Sequence, residues 1–391
     1  MLGADTDAEL GFRAPARQVA TSATGTPPTS APWTRGTIVA DATTVVEWDV
    51  VNRRDALRAA AIAGASLLGP LTPWLEPLAA GPLSARRGAF ALAEVEAVER
   101  VVGMFRNWDK PGSGLGRTAV VGQLSDVAER LRDAPDGPLT VRMFLAAAEL
   151  AKIAASMAFD EGSHRIAQQH YFTAARLAKA GDHTSYGAVV LASLARQSFE
   201  LGVADDGLEI VLMVERATRD TATPALRSLL ATREAWGHAQ RGSVYAFQRA
   251  VDTAVQSHED IDPGNEPRWL HSLDGAELAG TIGGRYRELA RHDPRQAAHA
   301  AEYLGRALAL RDPARARLRA FDLVSLARVH LFTGDPEQAA ATVRNALPFV
   351  DPQRPGRVGR KLIDWRREAA TYASVPAIRE SRDDIAAVTT A

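Results

Sequence analysis

The stretch ELAKIAASMAFDEGSHRIAQQHYFTAARLAKAGDHTSYGAVVLASLARQSFEL, residues 149–201, decides how this chain folds. It contains three helix-length segments separated by breaks that contain glycine. Small or apolar side chains recur three and four positions apart, at Ala155, Ala158, Ala167, Tyr171 and Ala174. Alanines at this spacing share a helix face and let two helix backbones approach closely. The stretch therefore predicts pairs of helices that stack on further copies of the same unit.

The pattern recurs along the chain. Positions that match Ala167 fall at Gly207 and Ala246, about 40 residues apart, which lies within the range of helical repeats. A degenerate copy surrounds Ala297 and Ala301. The last copy, DLVSLARVHLFTGDPEQAAATVRNAL at 322–347, is the clearest, with Leu-Ala, Gly-Asp and a following alanine at fixed offsets. This copy resembles the tetratricopeptide (TPR) repeat family, which implies an all-α fold, a TPR-like helical-repeat array or α-solenoid. The alternative is an irregular α-helical bundle.

Four regions follow from composition and pattern. Residues 1–44, rich in Thr, Ser, Pro and Gly, read as a disordered N-terminal tail, and 45–85 as a linker helix region. Residues 86–350 form the predicted repeat domain. Residues 351–391 are predicted to form a capping helix and a tail, and we expect the arginines of this segment to face solvent. Arg53 and Arg54 before an apolar run resemble a twin-arginine export signal. Ala56 and the break at Pro70 argue instead for a buried linking helix.

Composition narrows the function classes. The 391 residues carry a net charge of -1, so no global basic footprint for nucleic acid is present. The absence of cysteine excludes disulfides, thiolate metal sites and cysteine nucleophiles. The glycine-rich loop at 110–116 lacks the Gly-Lys-Ser/Thr of a nucleotide site, and the histidines lack metal-ligand spacing. We expect no enzyme activity, no cofactor and no metal.

The TPR resemblance implies a groove lined by the first helix of each repeat. Carried onto this sequence, the groove positions bring cations and aromatic rings together, a combination that suits a peptide carboxylate or an acidic partner. The candidate binding residues are Glu149, Lys152, Phe159, Arg196, Phe199, His238 and Arg328. The loop that holds Trp269 and His271 is a second candidate surface, and the basic segment after Val350 is a third.

The order of the motifs carries a further resemblance. TDAELGFR (6–13), NRRDALRAAAIAGASLLGPL (52–71), MFRNWDKPGSG (104–114) and AAELAKIAASMAFDEGSHRIAQQHYFTAARLA (147–178) follow one another as in actinobacterial XRE-type helix-turn-helix regulators. In that family a DNA-binding head precedes the first motif. We expect that head to be absent here, so we do not expect this chain alone to bind DNA.

These observations predict a cytoplasmic regulatory or sensor protein that binds a peptide, small ligand or protein partner through its groove. Transcriptional regulation is the expected setting, without membrane association, and a homodimer is left open. One alternative is a direct transcription factor whose helix-turn-helix is missing from this sequence. Another is a biosynthetic enzyme built on a recruited helical scaffold.

Overall fold

The regular structure of this protein is helical. The computed structural model describes residues 33–51, 60–78, 88–108, 116–350 and 356–389, and no β-strand occurs within these ranges. This result confirms the predicted all-α class. The helices are α1 (Arg35–Val51), α2 (Ala65–Leu68), α3 (Leu92–Trp108), α4 (Gly116–Leu131), α5 (Pro138–Glu161), α6 (His164–Ala180), α7 (Thr184–Glu200), α8 (Ala204–Thr218), α9 (Pro224–Gln240), α10 (Val244–Glu259), α11 (Gly275–Leu289), α12 (Ala297–Leu310), α13 (Ala316–Phe332), α14 (Pro336–Arg344), α15 (Gly356–Glu368) and α16 (Pro376–Thr389).

From α5 onward the helices pack as consecutive pairs. The partners are α5 with α6, α7 with α8, α9 with α10, α11 with α12, α13 with α14, and α15 with α16. Neighbouring pairs contact each other along the chain, and the first helices of successive pairs also meet, as α7 meets α9 and α9 meets α11. Helices α1, α3 and α4 cover the start of this series against α5 and α6.

A glycine turn with one repeated geometry joins the two helices of four pairs. The glycines have positive φ angles of 83°, 78°, 67° and 77°, in the order Gly162, Gly202, Gly242 and Gly334. After each glycine, the next backbone N–H donates to the carbonyl five residues earlier, as from Ser163 to Ala158 at 2.8 Å. This arrangement satisfies helix-end carbonyls and needs the left-handed conformation that glycine adopts without strain. The first three turns recur every 40 residues.

The small residues that suggested a repeat lie where helices pack most closely. Ala167 and Ala339 are fully buried, each five residues after a turn glycine. A Cβ on Gly207 would lie only 2.3 Å from the Phe199 ring, so this position has no room for a side chain. The third predicted position was wrong by one residue, since the buried side chain there is Phe247 and not Ala246.

The N-terminal boundaries need correction. Helix α1 begins at Arg35, inside the segment predicted to be disordered up to residue 44, because Ile38, Val39 and Ala42 form a buried face. In the linker region, α2 runs into a 3-10 turn at Gly69–Leu75 that buries Leu71 and Trp74. Residues 1–32, the paired arginines at 53 and 54, and most of the glycine-rich loop at 110–116 lie outside the described residues.

The C-terminal segment is a sixth helix pair instead of a cap with a tail. Ile378 and Ile385 of α16 are fully buried, as is Trp365 of α15. These apolar side chains pack with those of α13 and α14. Helix α15 also contacts α5, almost 200 residues earlier in the chain. The last pair therefore meets the first.

Candidate functional site

Basic side chains from the first helices of five pairs converge at the place where the last pair meets the first. We call them the inner cation cluster: Arg196 of α7, Arg233 of α9, Arg285 and Arg287 of α11, Arg328 of α13, and Arg357 and Lys361 of α15. They act on one another electrostatically, Arg233 on Arg285 and Arg287 on Lys361. All except Arg328 keep part of their surface accessible to water. The cluster is thus a half-buried lining that solvent reaches.

Four carboxylates pair with the cluster. Glu200 accepts from Lys361 at 2.8 Å and lies 3.4 Å from Arg357. Burial opposes ionisation of Glu200, but Lys361 and Arg357 hold its pKa well below the usual range. The other three are Glu368 with Arg328, Glu288 with Arg287, and Asp160 with Arg357. Within this set seven cations face four carboxylates, an excess of three positive charges. Arg291 and Arg317, outside the set, also pair with Glu288 and Asp160.

Three members of the cluster have no carboxylate within ion-pair distance among the described residues. These are Arg196, Arg233 and Arg285, and the Nε atom of each is buried without a hydrogen-bond partner. Burial and the nearby Arg196 lower the pKa of Arg233 to about 10. Burial and Arg233 lower the pKa of Arg285 well below its usual value. Desolvated guanidinium donors without partners are costly in a folded protein, so their retention points to a role outside folding.

Aromatic rings support several of these guanidinium groups. The Arg285 guanidinium carbon lies 3.3 Å from the centroid of the Trp236 ring. The guanidinium carbons of Arg196 and Arg357 each lie 5.2 Å from the centroid of the Phe159 ring. Such cation–π contacts restrict the guanidinium groups without consuming their in-plane N–H donors.

The structure brings together three of the seven predicted site residues. Phe159, Arg196 and Arg328 belong to the cluster or touch it. Lys152 is half-buried on α5, two turns before Phe159. His238 is half-buried near the end of α9, with Nε2 3.3 Å from the Glu234 carboxylate.

The other two predicted residues are structural. The buried Glu149 carboxylate pairs with Arg106 of α3 and Arg268 of the loop that follows α10. Phe199 is 1% exposed and packs on Trp236 with ring centroids 5.4 Å apart. The proposed apolar contact through Phe199 is therefore wrong, because no ligand can reach a ring that fills the interface between two helix pairs.

Sequence reasoning missed Arg233, Arg285 and Arg287. It placed Arg357 and Lys361 in a basic segment that it predicted to be solvated, with a partner surface there as the alternative. In the structure Arg360 donates to the Asp160 carbonyl at 2.8 Å, and Lys361 reaches Glu200. The second candidate surface holds Trp269, whose ring packs edge-on against Tyr186 at 5.2 Å, so this half-buried side chain packs against the core.

The inner cation cluster has the chemical groups that bind an anion. Its groups are hydrogen-bond donors with fixed positive charge, and guanidinium forks match carboxylate and phosphate oxygens in pairs. In the part of the chain that the structure describes, no three His, Asp or Glu side chains are placed to hold a metal ion. Across the same residues, no helix combines the length and apolar character needed to cross a bilayer.

Comparison with known proteins adds no assignment: no family model, no curated protein and no solved structure matches this chain.

Proposed function

We propose that this chain is a regulatory or sensor protein of the TPR-like helical-repeat class that binds an anionic ligand on the inner face of its first helices. The recurring glycine turn, followed five positions later by a small residue in three of the four copies, supports the repeat class. The XRE-type resemblance supports a role in transcriptional regulation in the cytoplasm, with DNA contacted by another chain or domain.

One observation carries the binding proposal. Arg196, Arg233 and Arg285 lie among other cations without a carboxylate partner in the described residues, and their buried Nε atoms are unsatisfied. A cluster selected for stability would pair these charges or replace them with apolar groups. A bound anion supplies the negative charge and the hydrogen-bond acceptors that these guanidinium groups lack.

The test combines stability with ligand retention. We expect Arg285→Gln to raise the melting temperature of the ligand-free protein, because it removes an unpaired buried charge, and to abolish binding. Native mass spectrometry would detect a ligand that copurifies, and a thermal-shift screen of small anions and short acidic peptides would find one that does not.

Arg295→Gln is the matched control, since the Arg295 side chain is 88% exposed and pairs with Asp293 outside the cluster. Arg295→Gln should change neither the melting temperature nor the binding of the ligand. A melting temperature that falls in Arg285→Gln, with no anion or peptide stabilising the parent, would show that the cluster is structural.

A further inference from the structure

The charge on the inner cation cluster indicates which anion it suits. The cluster carries an excess of three positive charges after its own four carboxylates are counted. A carboxylate supplies one negative charge, whereas a phosphate monoester supplies about 1.5 to 2 at neutral pH. Two linked phosphate groups would therefore balance the excess, and a single carboxylate would not.

Resting on the proposed function, we propose that the ligand is a small molecule with two or more linked phosphate groups, bound by Arg233 and Arg285 between α9 and α11. Both side chains lack a carboxylate partner among the described residues, as Arg196 does, and the buried Nε atom of each has no hydrogen-bond partner. They come from adjacent first helices. Each guanidinium can bind two oxygens of one phosphate at once. Arg196 and Arg357 flank them and contribute further positive charge.

The surroundings favour a compact ligand over an acidic peptide. Helix α15 contacts α5, and Lys361 and Arg357 reach Glu200 of α7, so the cluster is bounded by both ends of the helix series. An extended peptide spreads its charges at about 3.3 Å per residue and brings backbone N–H and C=O groups that need partners.

Open space beside the cluster gives the ligand a place to lie. Gly284 of α11 is half-buried one turn before Glu288, and a Cβ built on it would have no atom within 4 Å. Gly280 and Gly283, on the same helix, would instead clash at 2.4 Å and 2.7 Å. Gly284 therefore leaves room on the helix face that carries Glu288, and a large side chain there would occupy that room.

Isothermal titration calorimetry of the full chain tests the proposal. The probes are inorganic orthophosphate, pyrophosphate and tripolyphosphate, a nucleoside triphosphate, and hexaglutamate. We expect tripolyphosphate to bind at least about tenfold more tightly than orthophosphate, and less tightly as salt rises. Tighter binding of the nucleoside triphosphate would identify a nucleotide as the source of the phosphates, and equal binding an inorganic polyphosphate.

The variants localise the binding. Arg233→Gln and Arg285→Gln should each weaken tripolyphosphate binding by about tenfold or more, and Gly284→Phe should do the same by occlusion. Arg295→Gln is the control and should keep the parental affinity. Melting curves establish that each variant is folded.

Two results would overturn the inference in different ways. If hexaglutamate binds more tightly than tripolyphosphate, and Arg285→Gln removes that binding, the site takes an acidic peptide and the proposed function stands. If tripolyphosphate binds no more tightly than orthophosphate, and none of the variants alters the binding of these two anions, the phosphate inference fails. If the anion and peptide screen is also negative, the proposed function fails with it.

Discussion

At the scale of single residues, Glu215 of α8 carries an unfavourable charge. Burial and the neighbouring Glu234 of α9 raise the pKa of Glu215 from 4.5 to about 7. The folded protein therefore holds this proton more tightly than the unfolded chain does. Between pH 4.5 and about 7 the folded state is protonated at this residue while the unfolded state is not. This contribution to stability is full below pH 4.5 and is lost as the pH rises to about 7.

Glu215→Gln should remove the loss of stability that the parent shows as the pH rises from 4.5 to about 7. We expect the variant to exceed the parent in free energy of unfolding by roughly 1–3 kcal/mol at pH 8, and by much less at pH 4.5, because glutamine does not ionise. Urea unfolding at the two pH values measures this difference. Glu209→Gln, on an exposed position of the same helix, is the control and should leave the parental pH dependence in place. An equal gain at both pH values would contradict the assignment to ionisation.

At the scale of helices, close packing depends on residues that have small side chains or none. Ala167 of α6 and Ala339 of α14 occupy the same place after their turn glycines and are fully buried. Gly237 of α9 has the same role between pairs, since a Cβ there would lie 2.3 Å from the Leu208 side chain. The recurring small residue is therefore a packing requirement, as the sequence indicated.

Ala167→Leu and Ala339→Leu should each destabilise the fold by roughly 1–3 kcal/mol, because the added methylenes must enter a filled helix contact. Chemical denaturation measures the change. Ala341→Leu provides a matched control, since Ala341 is exposed on the same helix as Ala339 and its replacement should have little effect. Parental stability in both buried variants would mean that these positions do not share a packing role.

At the scale of the whole molecule, α15 links the two ends of the helix series. Arg360 donates to the Asp160 carbonyl at 2.8 Å and to the Phe159 carbonyl at 3.3 Å. Both carbonyls belong to the end of α5, where helix geometry leaves acceptors without intrahelical partners. Lys361 pairs with Glu200 beside them. This contact between α15 and α5 is polar, and it positions Arg357 and Lys361 in the candidate binding site.

Arg360→Ala should loosen this link and increase hydrogen exchange in α15 and α16 more than in α6 to α8. We expect a loss of about 1.5–3 kcal/mol in local stability, because charged hydrogen bonds to helix-end carbonyls are removed. Arg367→Ala is the control, since the Arg367 side chain is 63% exposed on the same helix. Uniform exchange rates in the two variants would show that the contact between α15 and α5 adds no stability.

The sequence alone determined the helical class, the spacing of about 40 residues and three residues at the candidate site. These features are local: glycine at a positive φ angle ends the first helix of four pairs, and alanine or glycine permits close packing where helices cross. The tertiary structure decided the register of the third repeat, where Phe247 replaces Ala246, and the place of α1 and α16. It also decided which charges face inward. Arg357 and Lys361 look like a solvated basic run until a helix almost 200 residues away packs against them. An excess of positive charge in one place is a property of helices that meet in space, so no single stretch of sequence contains it.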